Sequence, residues 1–157
     1  MSKAEVGKEE ITALTAAEIQ EMLDASPFNL FLSLTVVSAD PVKQEVTMRS
    51  AMRPEFERRP GSKQWHGGVI ASVIDTAGDF AVGMMLGRGL PTVNFRVDYL
   101  KPAVDTALIA VSRVRRAGKS VGVADVDVFD EKGSLLAIGR GTYSTQDAPL
   151  PANKVTP

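Results

Sequence analysis

The chain has 157 residues, 44% of them hydrophobic, enough for one well-buried core and too few for two domains of ordinary size. Eighteen Lys and Arg against nineteen Asp and Glu leave a net charge of −1, so no global field draws it to nucleic acid or an anionic membrane, and a small-molecule partner is favoured. The absence of cysteine excludes a disulfide framework, a thiolate metal site and a cysteine nucleophile, leaving oxygen and nitrogen groups to carry any chemistry.

Residues 1–14 are polar and aperiodic and are expected to form a flexible segment; they lack the apolar run of a secretion signal, which makes a cytoplasmic location the default. Thr15 precedes AAEIQEMLDA with Glu18 three positions on, a capping-box pattern, and Ile19, Met22 and Leu23 form an apolar stripe. That predicts a short amphipathic helix ending before Pro27. LFLSLTVVSA (30–39) and KQEVTMRSA (43–51), separated by Asp40 and Pro41, predict two strands joined by a tight turn. Residues 52–65 read as a basic loop punctuated by Pro and Gly. From Gly67 to about Leu86 the spacing is helical and apolar nearly all round, as in a core helix, although Asp75 and Asp79 interrupt it and argue against a membrane span. TVNFRVDYL then alternates, with Val93, Phe95, Val97 and Tyr99 on one face and Thr92, Asn94, Arg96 and Asp98 on the other. Strands at about 105–115, 120–129 and 134–145 follow, separated by the hairpin signals Ala117-Gly118-Lys119 and Asp130-Glu131-Lys132-Gly133. Residues 147–157 are proline-rich and are expected to be a flexible tail. One domain spanning 15–146 results, of α+β class, with one buried helix facing one long, largely antiparallel sheet.

Few motifs carry chemistry. AGKS at 117–120 has Arg113 where a phosphate-binding loop needs glycine, and sits at a hairpin. There is no G-x-S-x-G, and one histidine with scattered acids makes no metal site. His66-Gly67-Gly68 at a helix start is different. It is either a sharp loop-to-helix turn or a place where unpaired amides at the positive end of a helix dipole meet an oxyanion. Asp75 poses a similar choice, since a carboxylate in an apolar run is costly unless paired or used. Asp79 lies one turn on, and periodicity alone does not rank the two acids.

His-Gly-Gly, an acid seven positions after the second glycine, and a strand ending in Tyr-Leu-Lys-Pro occur together in HGGVIASVIDTAGDFAVG and TVNFRVDYLKPA, followed by GKSVGVADVDVFDEKGSLLAIGRGTY. Over about residues 50–146 the chain resembles the hotdog-fold acyl-CoA thioesterases of the PaaI type. The resemblance implies a hotdog fold, a long central helix wrapped by an antiparallel sheet, and hydrolysis of an acyl- or aryl-CoA. It implies no metal or redox cofactor, since coenzyme A is part of the substrate, and a homodimer with shared sites, with further pairing into a homotetramer left open. By it, Gly67, with Gly68 behind it, polarises the thioester carbonyl, His66 fixes the turn and Asp75 is the catalytic carboxylate; Asp79 lies outside the pattern. Many relatives carry Asn three residues before the loop glycine, where this chain has Arg58 in a loop two residues longer, and Gln64 is the candidate replacement amide. Asn94, Arg116 and Lys119 complete the candidate substrate and CoA contacts, with Arg113 and Arg115 beside them around the hairpin. The alternative is a non-catalytic acyl-CoA-binding domain, a sensor or carrier, which would keep the pocket and dispense with Asp75. Distance adds a constraint. Eight residues of helix separate Gly67 from Asp75 by about 12 Å along the axis, so one thioester carbon cannot touch both, and the acid must come from a second copy.

Overall fold

The computed structural model describes residues 12–146; the expected flexible tail, and residues 1–11 of the expected N-terminal segment, lie outside them. Within that segment, Leu14 is docked rather than loose, its N–H donating to the Met84 carbonyl at 3.0 Å.

Helix α1 (Ala16–Ala25) begins at the expected capping box: Thr15 Oγ1 accepts from the Glu18 N–H while Glu18 reaches back to the Thr15 N–H. Ile19 and Leu23 bury the apolar stripe. The next segment departs from expectation. The strand foreseen from residue 30 begins only at Leu34, because Pro27 sits at the first position of a second, five-residue helix, α2 (Pro27–Phe31), where its fixed φ and missing N–H cost nothing. Strands β1 (Leu34–Asp40) and β2 (Glu45–Ser50) follow, the turn held by the Asp40 carboxylate accepting from the Val42 and Lys43 N–H groups. Helix α3 (Gly67–Leu86) comes next, then β3 (Thr92–Tyr99), β4 (Leu108–Ala117), β5 (Val121–Phe129) and β6 (Leu135–Ser144).

All six strands form one antiparallel sheet in the order β1-β2-β4-β5-β6-β3. Strand β3 therefore pairs with β6, not with its sequence neighbour β4, and lies at an edge. Helix α3 packs against every strand. By length and composition it is apolar enough to cross a membrane, and more than half of it is buried inside this chain. Its approach to the sheet is close: a Cβ at Gly139 would run into Ile74, so β6 must be bare there for the helix to settle. Ile74, Val73, Ala77, Ala81, Val82 and Met84 meet Met48, Leu108, Ala110, Ala124, Val126 and Val128 in the core.

One polar atom in this core has no partner among the described residues, the Ser112 hydroxyl on β4. A buried hydroxyl left unpaired costs about 1–3 kcal/mol. Ser112→Ala is therefore expected to raise stability by about 1 kcal/mol in urea unfolding; a drop of similar size would show that the hydroxyl has a partner after all.

Candidate active site

The turn entering α3 is clamped before the helix starts. Trp65 is buried, its backbone N–H donating to Ala103 O at 2.9 Å, its indole N–H to Thr106 O at 2.9 Å, and its ring stacking on Phe56. The His66 N–H donates to Phe56 O at 2.8 Å. His66 is the N-cap of α3: its Nδ1 accepts from the Gly68 N–H at 2.9 Å, which places the proton of the neutral ring on Nε2. The Val69 and Ile70 N–H groups both turn back to the His66 carbonyl. The first turn therefore retains one N–H with no partner among the described residues, that of Gly67. Of the two glycines, Gly68 spends its amide on the cap. The Gly67 amide belongs to the same peptide as the doubly bonded His66 carbonyl, and those two bonds strengthen it as a donor.

Gly67 opens into a cleft of about 360 Å³ whose walls include Arg58, Gln64, Tyr99, Leu100 and Lys101. Arg58 and Gln64 are thus brought to Gly67 as expected. The loop carrying them is closed on itself, with the Glu57 carboxylate accepting from the Gly61 and Lys63 N–H groups and Gly61 in the left-handed region at φ 75°. Lys101, outside the candidate residues, stands within the Tyr-Leu-Lys-Pro run. Its signal was a cation immediately after a strand that ends at the cleft.

Asp75 and Asp79 prove unlike. Asp75 is half-buried and accepts from Thr92 Oγ1 at 2.9 Å; burial raises its carboxyl above the usual range and the Thr92 bond opposes that. Asp79 accepts from the Leu90 N–H at 2.6 Å and so anchors the loop between α3 and β3. Burial, with a smaller contribution from the Asp75 charge, pushes it up to about 7 against the opposing Leu90 bond. An acid whose pKa is higher folded than unfolded makes the folded state bind more protons between the two values, here from about 4 to about 7. Stability is then greatest below that window and falls as pH rises through it, by up to about 1.4 kcal/mol per unit. Asp79→Asn keeps a carbonyl acceptor for Leu90 and is expected to flatten this slope, making the variant the more stable protein at pH 8. Parallel urea midpoints at pH 4 and pH 8 for both proteins would refute it.

The remaining candidates divide. Asn94 shares a face of β3 with Arg96 and Asp98, in a hollow also lined by Asp125, Arg140 and Thr142 on the side of the sheet away from α3, whereas a register shift between Thr92 and Asn94 breaks the expected alternation and leaves Thr92, like Tyr99, reaching the helix. The structure therefore parts Asn94 from Gly67 and Asp75. The four-residue basic patch is also divided. Arg113 is taken by Glu45 and Asp127 and Arg115 by Asp125, while Arg116 and Lys119 have no acid partner among the described residues. Their hairpin lies beside Val82, where Gly122 contacts the last turns of α3, roughly 22 Å along the axis from Gly67 in the same chain. Among the described residues, no cluster of three or more His, Asp or Glu could hold a metal ion.

Known proteins resemble this chain in sequence and in fold. Residues 63–137, from the cleft loop to β6, match the family model described as Thioesterase superfamily. A protein of Halobacterium salinarum is 34% identical over 139 residues, covering 82% of this chain and 90% of that protein. The acyl-coenzyme A thioesterase PaaI of Escherichia coli strain K12 is 32% identical over 114 residues, 70% of this chain and 76% of its own length. A crystal structure of a thioesterase-superfamily protein superposes with a TM-score of 0.77 at 32% identity, covering 82% of this chain and 96% of that one. With a six-stranded antiparallel sheet around one long helix and similarity over most of its length to proteins of this kind, the chain has the hotdog fold and belongs to the thioesterase superfamily.

Proposed function

We propose that this protein hydrolyses an acyl- or aryl-CoA thioester to the free acid and CoA, in a homodimer whose two sites each combine the start of α3 from one copy with Asp75 from the other. The observation that carries this is the one N–H of the α3 first turn without a partner among the described residues, on Gly67, facing a cleft in a thioesterase-superfamily chain. There it would meet the thioester oxygen as negative charge collects on it, with the helix dipole adding to the effect. The water oxygen bonds to the carbonyl carbon, the carbon–sulfur bond breaks, and CoA leaves as a thiolate that takes up a proton. Asp75 serves this in one of two ways, accepting the proton of the attacking water or attacking the carbon to give an anhydride that water then opens. Neither route calls on a metal or redox cofactor.

Three features favour a shared site. Asp75 does not line the Gly67 cleft, and about 12 Å of helix separate the two. Asp75 is tied through Thr92 to β3, an edge strand whose outer ladder pairs with no other strand among the described residues. Val93 and Phe95 on that strand are 63% and 38% exposed, a long apolar edge of the kind proteins usually cover. Pairing β3 with a second β3 across a two-fold axis covers that edge and sets the two α3 helices side by side and antiparallel. In this arrangement Arg58 and Lys101 flank the cleft from one copy, suited to CoA phosphates. Arg116 and Lys119, about 10 Å along the axis beyond Asp75 at the level of Val82, approach the same cleft from the other copy.

Release of CoA should be followed with short, long and aromatic acyl-CoA substrates. Turnover of at least one class is expected. Binding of these thioesters without turnover of any would favour the non-catalytic acyl-CoA-binding domain.

A further inference from the structure

The chain contains two tyrosines, and each donates its hydroxyl to a main-chain carbonyl of α3 at a position that the proposed reaction uses. Tyr99 Oη donates to the Gly67 carbonyl at 2.6 Å, and Tyr143 Oη donates to the Asp75 carbonyl at 2.9 Å. We propose that Tyr99 and Tyr143 are positioning residues that lock α3 at its two catalytic points, one serving the oxyanion half of the site and the other the acid half. The inference rests on the thioesterase mechanism proposed above.

The need for such a lock follows from how α3 is held. The helix is apolar nearly all round, and the contacts that bury it are non-directional, so burial alone leaves its rotation and axial register weakly specified. Directional bonds to the sheet must supply the rest. A helix carbonyl has two acceptor positions, of which the helix itself uses one, so a tyrosine hydroxyl can take the second without breaking a turn.

Both tyrosines sit where they can do this. Tyr99 ends β3 and stands against Gly67, where a Cβ would lie 3.2 Å from its hydroxyl oxygen. Its bond to the Gly67 carbonyl continues through that peptide to the Gly68 N–H and on to His66 Nδ1, a chain of three polar groups that fixes the peptide immediately following the Gly67 amide. Tyr143 is completely buried on β6. Its ring fills a slot that exists because residues 78 and 141 are glycines, since a Cβ at either would run into the hydroxyl. Tyr143 is the direct β-sheet partner of Thr92, whose hydroxyl holds the Asp75 carboxylate. Two adjacent strands thereby grip Asp75 at once, β3 by its side chain and β6 by its backbone. In a site divided between two copies, the reacting distance depends on the placement of both helices, and an error of about 1 Å costs about 100-fold in rate.

The test uses Tyr99→Phe and Tyr143→Phe, each as a purified dimer and as a mixed dimer carrying one chain of each kind. Each homodimer is expected to lose about tenfold in kcat with KM changed less than about twofold, the pattern of lost placement rather than lost binding. In the mixed dimer one site lacks both hydroxyls where they matter. The other joins the Gly67 of the Tyr143→Phe chain, with Tyr99 intact, to the Asp75 of the Tyr99→Phe chain, with Tyr143 intact. Activity should return to about half that of the unaltered dimer, above either parent. A contribution to stability alone acts chain by chain and would leave the mixed dimer at the mean of its parents, which would overturn the inference, as would an unchanged kcat in either homodimer. A control pair, Asp75→Asn mixed with Gly67→Pro, separates the two levels. Recovery in the control without recovery in the tyrosine pair discards the positioning role and keeps the shared site, whereas failure of both discards the shared site and the inference with it.

Discussion

Asp75→Asn is expected to lower kcat at least about 100-fold while leaving the fold in place. The fold should survive because the amide oxygen can still accept from Thr92 Oγ1, and the Asp75 backbone carbonyl keeps its bond from Tyr143. The rate should not, because an amide neither attacks a thioester carbon nor takes a proton from water. Asp79→Asn is the matched control. It alters an acid one helical turn away whose carboxylate is already engaged by the Leu90 N–H, and it should leave kcat within a few-fold. Steady-state rates of CoA release, with thermal melts on the same samples, decide between them. If Asp79→Asn were the crippling change and Asp75→Asn mild, the assignment of the acid would be wrong.

Replacing Gly67 with proline should cost about 100- to 1000-fold in kcat, the scale of losing one oxyanion donor. Proline is suited to this position for three reasons. Gly67 is the first residue of α3, where a missing N–H breaks no helix bond, and proline's φ is already helical. His66 before it is at φ −70° and ψ 134°, the extended region that a residue preceding proline prefers. The added carbon meets Tyr99, which is 53% exposed and can give way. Gly67→Ala introduces the same Cβ and keeps the N–H, so it should lose less than about tenfold. Equal losses in the two variants would point to the Cβ and away from the amide. Since the Gly67→Pro chain retains a working Asp75 and the Asp75→Asn chain a working Gly67 amide, a mixed dimer of the two should regain one intact site.

The sequence by itself determined most of the element types and marked the helix entrance at which the candidate site is built. Period-two and helical spacing located the sheet and α3, Thr15 and Glu18 marked the start of α1, and His66-Gly67-Gly68 marked a helix entrance with amides to spare. These signals are local, resting on side-chain periodicity and on bonds that span three or four residues, so they survive in a linear reading. It misjudged residues 30–33, where a proline-started turn of helix overrides an apolar run, and periodicity alone ranked neither Gly67 over Gly68 nor Asp75 over Asp79, a choice that only the family resemblance made. Tertiary structure alone showed that Gly68 gives its amide to His66 and that Asp75 and Asp79 have different partners, together with the pairing of β3 with β6, the placing of Asn94 on the outer face, and the neutralisation of Arg113 and Arg115. The physical reason is the same in each case. Which donor meets which acceptor depends on groups far apart along the chain, 68 residues for Tyr143 and Asp75, 17 for Thr92 and Asp75, 11 for Leu90 and Asp79, and no periodicity encodes a bond across such a gap. The desolvation that raises both carboxyls likewise exists only once α3 lies against the sheet.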